Sequence, residues 1–532
     1  MSTTAPGSPG AVADRREARR SARSGAIGLA GAAVSGLFGF VLAVVVTRGY
    51  GPTGAGAFFT AVGLLTVVAA SCTLGAETGL LWALPRRRTG AGGDAARMLP
   101  VALLPPLLVV AVVAAVGLLA APRLAAVLFD QSVAGPGGAV TGSDGTVVGP
   151  DASLVRLCAI GLPVLVATGL ALAAVRGVRP IGGYVAVQFF LLPIGRPLLV
   201  GLAALTSSSV LFGVAGWLAP ALVALLACAW LVAGPLGIGA GAGLRSRPGD
   251  WGGFWRFALP RAGSAVIDAG SMWIGVLLAA VLAGQTEAGI FGAVGRYVLA
   301  GQLALQGLRV AVAPQLSRLL GADRPAQAAA VHRQMTVWAL VLSWPVYLLL
   351  AVFAPGFLAI FGPEFAAGAA AMTVLAVAML VNIAVGNVQT LLLMSGRSGL
   401  HLLATVVNLT VTVALGYVLV PRYGVLGVAV AWGTGIVLEN LIAAVAARVV
   451  VGQPLVDRAT VVAAGAVLFG VGAVSALATA LAGRGAGGLV LALVLLVVVG
   501  LAALTVPGVR RRLRRALDKR RGLWPSLRQK GG

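Results

Sequence analysis

Long apolar runs separated by short polar breaks occupy nearly the whole chain. Fourteen such runs can be drawn, at roughly 25–47, 56–84, 99–121, 152–175, 183–205, 210–233, 258–283, 289–313, 332–353, 366–393, 398–420, 424–448, 459–482 and 486–506. About 20 apolar residues at 1.5 Å rise each cross a bilayer core. Backbone polar groups in lipid must bond within their own segment, so each run predicts a helix. The runs are too continuously apolar for the alternation of a membrane strand. The predicted fold class is an all-α polytopic membrane protein with 14 transmembrane helices. The first run ends at Thr47-Arg48-Gly49-Tyr50, which offers no small-x-small cleavage site, so it reads as a retained anchor rather than a signal peptide.

The polar breaks carry the organisation. Gly51-Pro-Thr53-Gly-Ala55-Gly56-Ala-Phe58 and Gly284-Gln-Thr286-Glu-Ala288-Gly289-Ile-Phe291 spell one phrase, G-x-T-x-A-G-x-F, twice. Each copy lies between the first and second runs of a six-run unit. The short turn Arg176-Gly-Val-Arg179-Pro-Ile-Gly182 is matched more loosely by Ser395-Gly-Arg397-Ser-Gly399. An even number of spans per unit gives both units one orientation, hence a parallel repeat, and a membrane protein of two like halves is a transporter candidate. The expected domains are a basic tail 1–24, an N-lobe 25–233, a linker 234–257, a C-lobe 258–450, an accessory pair of spans 451–507 and a basic tail 508–532. The two six-helix bundles are expected to enclose a central cavity. The repeated phrase itself reads as structural, with Thr53 and Thr286 capping helix starts and the glycines turning the chain.

Composition agrees: 59% of residues are hydrophobic, only 10% are charged, and mean hydropathy is +0.99. A soluble chain of this length would carry far more charge. The net charge of +24 invites a nucleic-acid reading, so its distribution decides. With the N-terminus inside, 30 of the 39 basic residues fall on the cytoplasmic side. Five lie at the outer side (Arg48, Arg123, Arg156, Arg422, Arg484) and four within runs. That is the positive-inside pattern, so the excess is topological and no nucleic-acid partner is expected. The expected location is a bacterial cytoplasmic membrane with both termini inside. The stretch Val509–Trp524 is either an amphipathic helix on the anionic inner leaflet or a solvated tail. Cys72, Cys158 and Cys228 all fall in runs and read as small buried apolar residues without disulfide or metal spacing. The long outer segment Pro122–Asp151, rich in Gly and Ser, is expected to be a flexible loop rather than a catalytic domain.

Charges inside the runs are the candidate working residues, because each costs several kcal/mol unless it faces a cavity or a partner. Arg196, flanked by Pro193 and Pro197, sits near mid-membrane in the fifth run, and the prolines predict a bend where it points. Arg296 and Arg309 lie in the eighth run and Arg261 in the seventh. Arginine binds a diphosphate in a bidentate fork, so these four are candidate contacts to an anionic cargo, against the alternative of structural ion pairs. Asp268, seven residues after Arg261 on the same helix face, is the first candidate coupling acid; Glu439 and Glu77 are the second and third. No cofactor is expected; Na⁺ or H⁺ is the ion such acids could hold. Asn382, Asn387, Gln389 and Asn408 could contact sugar hydroxyls or serve as interhelical hydrogen bonds. His332 and His401 lie near inner run ends without metal-ligand spacing, and no G-x-x-x-x-G-K-[ST] is present for ATP. The sequence thus predicts no enzyme.

Several phrases carry a family resemblance over about residues 25–450. Thr47-Arg-Gly-Tyr-Gly51-Pro-Thr-Gly-Ala-Gly56-Ala-Phe58 follows a first span on a basic tail. Phe257-Ala-Leu-Pro260 enters the seventh span, Ala288-Gly-Ile-Phe-Gly-Ala-Val-Gly-Arg296 opens the eighth, and Pro314-Gln-Leu-Ser-Arg318 closes it. Val420-Pro-Arg-Tyr-Gly424-Val-Leu-Gly-Val-Ala joins spans 11 and 12. Together these resemble the polysaccharide flippases of the multidrug/oligosaccharidyl-lipid/polysaccharide (MOP) exporter superfamily. The resemblance implies two six-helix bundles around a cavity and translocation of lipid-linked oligosaccharide by alternating access, for cell-surface polysaccharide. It implies a lipid-linked glycan as substrate, membrane lipids as surroundings, and glycosyltransferases or a polymerase of the same pathway as partners of a monomer. The lipid II flippases of that superfamily also have two extra C-terminal helices, but their arginine-bearing first span is absent: residues 25–46 carry no charge. A multidrug/cation antiporter of the superfamily is the second reading. A polymerase or ligase is a distant third, since the outer segment lacks the structured Arg or His loop it would need.

Overall fold

The computed structural model describes residues 9–88, 95–129, 150–237, 246–302, 305, 312, 315–322, 324–386, 388–395, 397–452 and 457–505. Every regular element among them is helical: α1 Pro9–Cys72, α2 Ala76–Arg88, α3 Met98–Leu119, α4 Ala121–Leu128, α5 Pro150–Val178, α6 Ile181–Thr206, α7 Val210–Leu236 and α8 Pro248–Ala283. They continue with α9 Gln285–Gly301, α10 Pro325–Val352, α11 Ala354–Leu358, α12 Ala369–Val385, α13 Val388–Met394, α14 Ser398–Val451, α15 Arg458–Ala482 and α16 Ala486–Thr505, with one 3₁₀ turn at Pro363–Gly368.

Ten of these helices are long and apolar enough to cross a membrane. The count differs from fourteen partly through kinked joins and partly because only the described residues are counted. The first two runs share α1 and runs 11 and 12 share α14, each pair joined through a single kinked glycine, while runs 8 and 14 are described over shorter helices, 17 residues in α9 and Ala486–Ala502 in α16. Gly51 (φ 66°, ψ −175°) breaks α1 and Gly424 (φ 52°, ψ −132°) breaks α14. Gly284, the first residue of the second phrase, adopts nearly the backbone of Gly51 (φ 92°, ψ 175°). Only glycine occupies that region readily, which explains why both copies of the phrase begin with it.

In the first half α5 packs on α2, α3 and α7, and α6 lies against α1 and α7. In the second half α12 packs on α10 and α14. The halves meet where α1 crosses α8 and α9, and one apolar cluster runs through both, with Phe58, Phe59, Phe254, Phe361 and Phe365 fully buried. The terminal pair α15–α16 touches the rest through Val471, Ala478, Leu489 and Ala492 on Leu348, Leu349 and Phe353. Its other faces, including Val462, Phe469, Leu481 and Val497, are exposed and apolar. Inner and outer below denote the sides assigned by the charge distribution.

Four expectations change. The segment predicted as a loop from Pro122 is helical to Leu128, and α5 already begins at Pro150; residues 130–149 lie outside the described ones. The linker is shorter than predicted, because α7 runs to Leu236 before left-handed Gly237 ends it. The next helix starts at Pro248, where the Asp250 carboxylate accepts the Arg247 N–H at 3.1 Å. The bend in α6 precedes Arg196 rather than centring on it: Ala186–Leu191 is a π-helical turn just before Pro193. Proline removes an N–H and clashes with the carbonyl four residues back, and the wider turn accommodates both effects. Finally, Thr53 and Thr286 do not cap helix starts; their hydroxyls hydrogen-bond each other at 2.8 Å.

Candidate functional site

The second half holds a polar stripe on α14. His401, Thr405, Asn408 and Thr412 recur at spacings of four, three and four, so they share one helix face. Glu439, on the far side of the Gly424 kink and 9% exposed, folds back onto this stripe. Its carboxylate accepts Asn408 Nδ2 at 2.6 Å, Thr405 Oγ1 at 3.0 Å and Gln389 Nε2 of α13 at 3.2 Å. Thr412 Oγ1 then donates to Asn408 Oδ1 at 3.1 Å, which fixes the amide so that its NH₂ faces the carboxylate. A Cβ on Gly435 would lie within 3.0 Å of Asn408 and Thr412 atoms, so a glycine there lets the two segments of α14 approach. Among the described residues no cation pairs with Glu439. A buried carboxylate solvated only by neutral hydroxyl and amide groups is suited to exchange a proton or hold a small hard cation by its oxygens.

Asp268 of α8 is exposed and comes within electrostatic reach of His401, one turn before Thr405. Two of the three predicted acids therefore border one stripe. It is not neutralised by Arg261, which is exposed and lies over the Phe257 ring at 4.9 Å. Glu77 sits apart in the first half, its carboxylate against Gly169 of α5, where any Cβ would collide with it.

The predicted arginines do not converge on one point. Arg196 is held in the first half over the Trp217 ring of α7 at 4.2 Å. Arg296 stands at the seam between halves, between Phe59 of α1 and Trp273 of α8, 5.2 and 5.3 Å from the ring centroids. For both, Nε is buried without a hydrogen-bond partner, and no carboxylate pairs with either among the described residues. Arg296 lines a cavity of about 30 Å³ with Met272, Trp273, Phe291 and Trp432, room for roughly a water or two. The halves are thus closed on one another at this depth. Arg309 and Asn387 lie outside the described residues. Among the described residues Asn382 reaches only Met379 Sδ, at 3.6 Å.

Sequence reading passed over Thr405, Thr412 and Gln285. The first two were legible as the four-three-four polar spacing around Asn408. Gln285 had no such signal, because its role is set by the other half: it accepts from Thr60 Oγ1 at 3.1 Å and donates to the Leu128 carbonyl. The aromatic faces under the arginines were equally invisible, since they come from other helices.

No protein-family model matches the sequence, and no curated protein does. Solved structures do. An inward-facing multidrug resistance MATE-family transporter of the MOP superfamily superposes with a TM-score of 0.60 at 15% identity, over 79% of this chain and 94% of that one. The lipid II flippase MurJ in an inward closed conformation gives a TM-score of 0.66 at 10% identity, over 87% of this chain and 96% of that one. A MATE protein in complex with MaL6 gives 0.51 at 15% identity, over 81% and 95%. At such low identity a superposition shows the fold alone, and the fold is the one these solved transporters share.

Proposed function

We propose that the chain translocates an anionic, lipid-linked saccharide across the membrane by alternating exposure of a path between its halves, driven by a cation held at the α14 stripe. The observation that carries the proposal is the pair Arg196 and Arg296: two intramembrane guanidiniums with no carboxylate partner among the described residues, each resting on aromatic rings. Cation–π contact returns about 0.5–2 kcal/mol, less than the several that an unpaired charge costs at that depth. A diphosphate entering the path would supply the missing charge and bidentate acceptors. Glu439 supplies the second element, a buried acid whose neutral ligands are matched to Na⁺ or H⁺ rather than to arginine. The architecture is shared with a lipid II flippase and with multidrug transporters. The unpaired arginines favour anionic over cationic cargo, and the uncharged first span favours a glycan carrier other than lipid II.

The test is flipping of fluorescent lipid diphosphate-linked saccharides in proteoliposomes, with efflux of cationic dyes as the comparison. Arg196→Ala and Arg296→Ala should each lower flipping about tenfold or more, the order expected for one charge-assisted contact. Glu439→Gln should remove its dependence on a Na⁺ or pH gradient. Undiminished flipping in both arginine variants overturns the cargo assignment. Dye efflux without flipping would favour the antiporter.

A further inference from the structure

The turn Arg176-Gly-Val-Arg179-Pro-Ile-Gly182 joins α5 to α6 at the inner end of the first half. It faces the last turn of α7 across an open cavity of about 550 Å³, lined by Gly177, Val178, Arg179, Pro180, Gly234 and Pro235. That volume lies within the range of small-ligand sites, about 300–1,000 Å³. Arg179 is exposed, yet its position is set, because Nε donates to the Leu231 carbonyl at 2.9 Å. The rest of the guanidinium turns to the cavity: Nη2 lies 3.7 Å from where a Cβ on Gly234 would stand. Arg176, also exposed, rests over the Tyr184 ring, 5.4 Å from its centroid. Pro180 precedes α6, so the first-turn N–H groups of Ile181 and Gly182 lack helical acceptors at the same corner.

The corner carries one sign of charge. No Asp or Glu occurs between Asp151 and Asp250, and neither arginine enters an ion pair among the described residues. A phosphate group has the charge and the paired oxygens that a guanidinium fork takes. The surface leading to the cavity separates a lipid phosphate from a dissolved one. Leu222, Leu226, Trp230 and Gly234 follow at intervals of four and form one ridge of α7. The first three are exposed by 50, 64 and 75%, and the fourth lines the cavity. The ridge thus descends from the apolar membrane interior to the basic corner, with Trp230 where indole rings meet headgroups. The other side of α7 carries Trp217, Ala221, Ala224 and Cys228, all buried, and the helix packs on α5, α6 and α1. The ridge therefore looks out to lipid.

We propose that this corner binds an anionic phospholipid of the inner leaflet: Arg179 and Arg176 take the phosphate, and an acyl chain lies along Leu222, Leu226 and Trp230. The site is separate from the translocated cargo, because it sits on the flank of the first half and not at the seam between halves. The looser copy of the turn in the second half keeps a single arginine, Arg397, so that corner offers no such pair.

The full-length protein in neutral detergent is titrated with phosphatidylglycerol, phosphatidylcholine, glycerol phosphate and a lipid diphosphate-linked saccharide, and bound molecules are counted by native mass spectrometry. Phosphatidylglycerol should bind about fivefold or more tighter than phosphatidylcholine, the factor expected from one interfacial arginine. Arg179→Ala should remove that preference, and Gly234→Leu, which fills the cavity, should weaken binding by a similar factor. Arg397→Ala should leave it unchanged. A second readout keeps the test independent of how Gly234→Leu folds: chain-brominated phosphatidylglycerol in phosphatidylcholine vesicles should quench Trp230, measured against Trp230→Phe, and should quench it less in Arg179→Ala. Equal binding of the two phospholipids, or a preference unchanged in both Arg179→Ala and Gly234→Leu, overturns the site. Glycerol phosphate binding as tightly as the phospholipid would assign the cavity to a soluble anion, and tighter binding of the diphosphate lipid would assign it to cargo loading; either result overturns the phospholipid. None of these measurements requires flipping, so failure of the transport proposal leaves them standing.

Discussion

At Gly424 the backbone sits at φ +52°, and a Cβ there would run into the Glu287 carboxylate. That carboxylate accepts the Val425 N–H at 2.6 Å and so caps the second segment of α14 from across the fold. Two penalties therefore meet in one methyl group. Gly424→Ala should cost about 1–3 kcal/mol from the backbone alone, with more from the displaced cap. It should lower the detergent thermal midpoint, whereas Gly399→Ala, whose Cβ meets nothing and whose φ is ordinary, should leave it unchanged. Equal midpoints for the two variants would show that the kink is not set by this glycine. The same residue-scale logic separates what was legible from what was not. Gly51, Gly284 and Gly424 could be picked out because each stands in a short polar break next to Pro, Thr or Arg. The partners of Glu439 could be guessed only as polar residues in apolar runs, since their mutual distances depend on how α13 and the two segments of α14 fold back on one another.

At the scale of elements, hydrophobic periodicity located the helices well and their boundaries poorly. Apolar runs cannot say whether two spans are joined by a loop or by one kinked residue, because both leave the same short polar break. The π-turn before Pro193 shows the complementary limit: two prolines announce a distortion, but its register is decided by which carbonyls the ring displaces. The pair α15–α16 reads as an appendage from its lack of polar side chains, yet it packs along α10, from the Arg333–Asp457 ion pair at 3.6 Å to Arg484 on the Val352 carbonyl, and touches α11 as well. In lipid such a contact is held by packing and hydrogen bonds, not by exclusion of water. A chain ended after Gly452 should therefore still assemble both halves, with a thermal midpoint lower by a few degrees. Loss of the folded monodisperse species in detergent would show instead that the pair is integral to the second half.

For the whole molecule the decisive quantity is the placement of charge, which the fold constrains but does not orient. The superposition on known transporters is the same whichever way the chain is inserted, so sidedness must be argued from the sequence. When sides alternate through the fourteen predicted spans, 30 of 39 basic residues fall on one side, clustered at Arg15–Arg23, Arg86–Arg88, Arg176 with Arg179, Arg245 with Arg247, Arg318 with Arg324, and the tail from Arg510. Inverting the chain would require that whole set to cross the membrane, and basic residues near span ends are what insertion retains on the cytoplasmic side. Two of the five outer exceptions have local work: Arg48 bonds the 359–360 carbonyls and Arg484 donates to Val352 O at 2.8 Å, each serving the orphan carbonyls of a helix end. The positions of these two are fixed by capping, so they do not weigh against the rule. A fluorescent-protein fusion after Gly532 should therefore fluoresce, and an alkaline-phosphatase fusion in the segment between α4 and α5 should be active. The opposite pair of results would reverse the assignment of inner and outer sides and leave every contact described above unchanged.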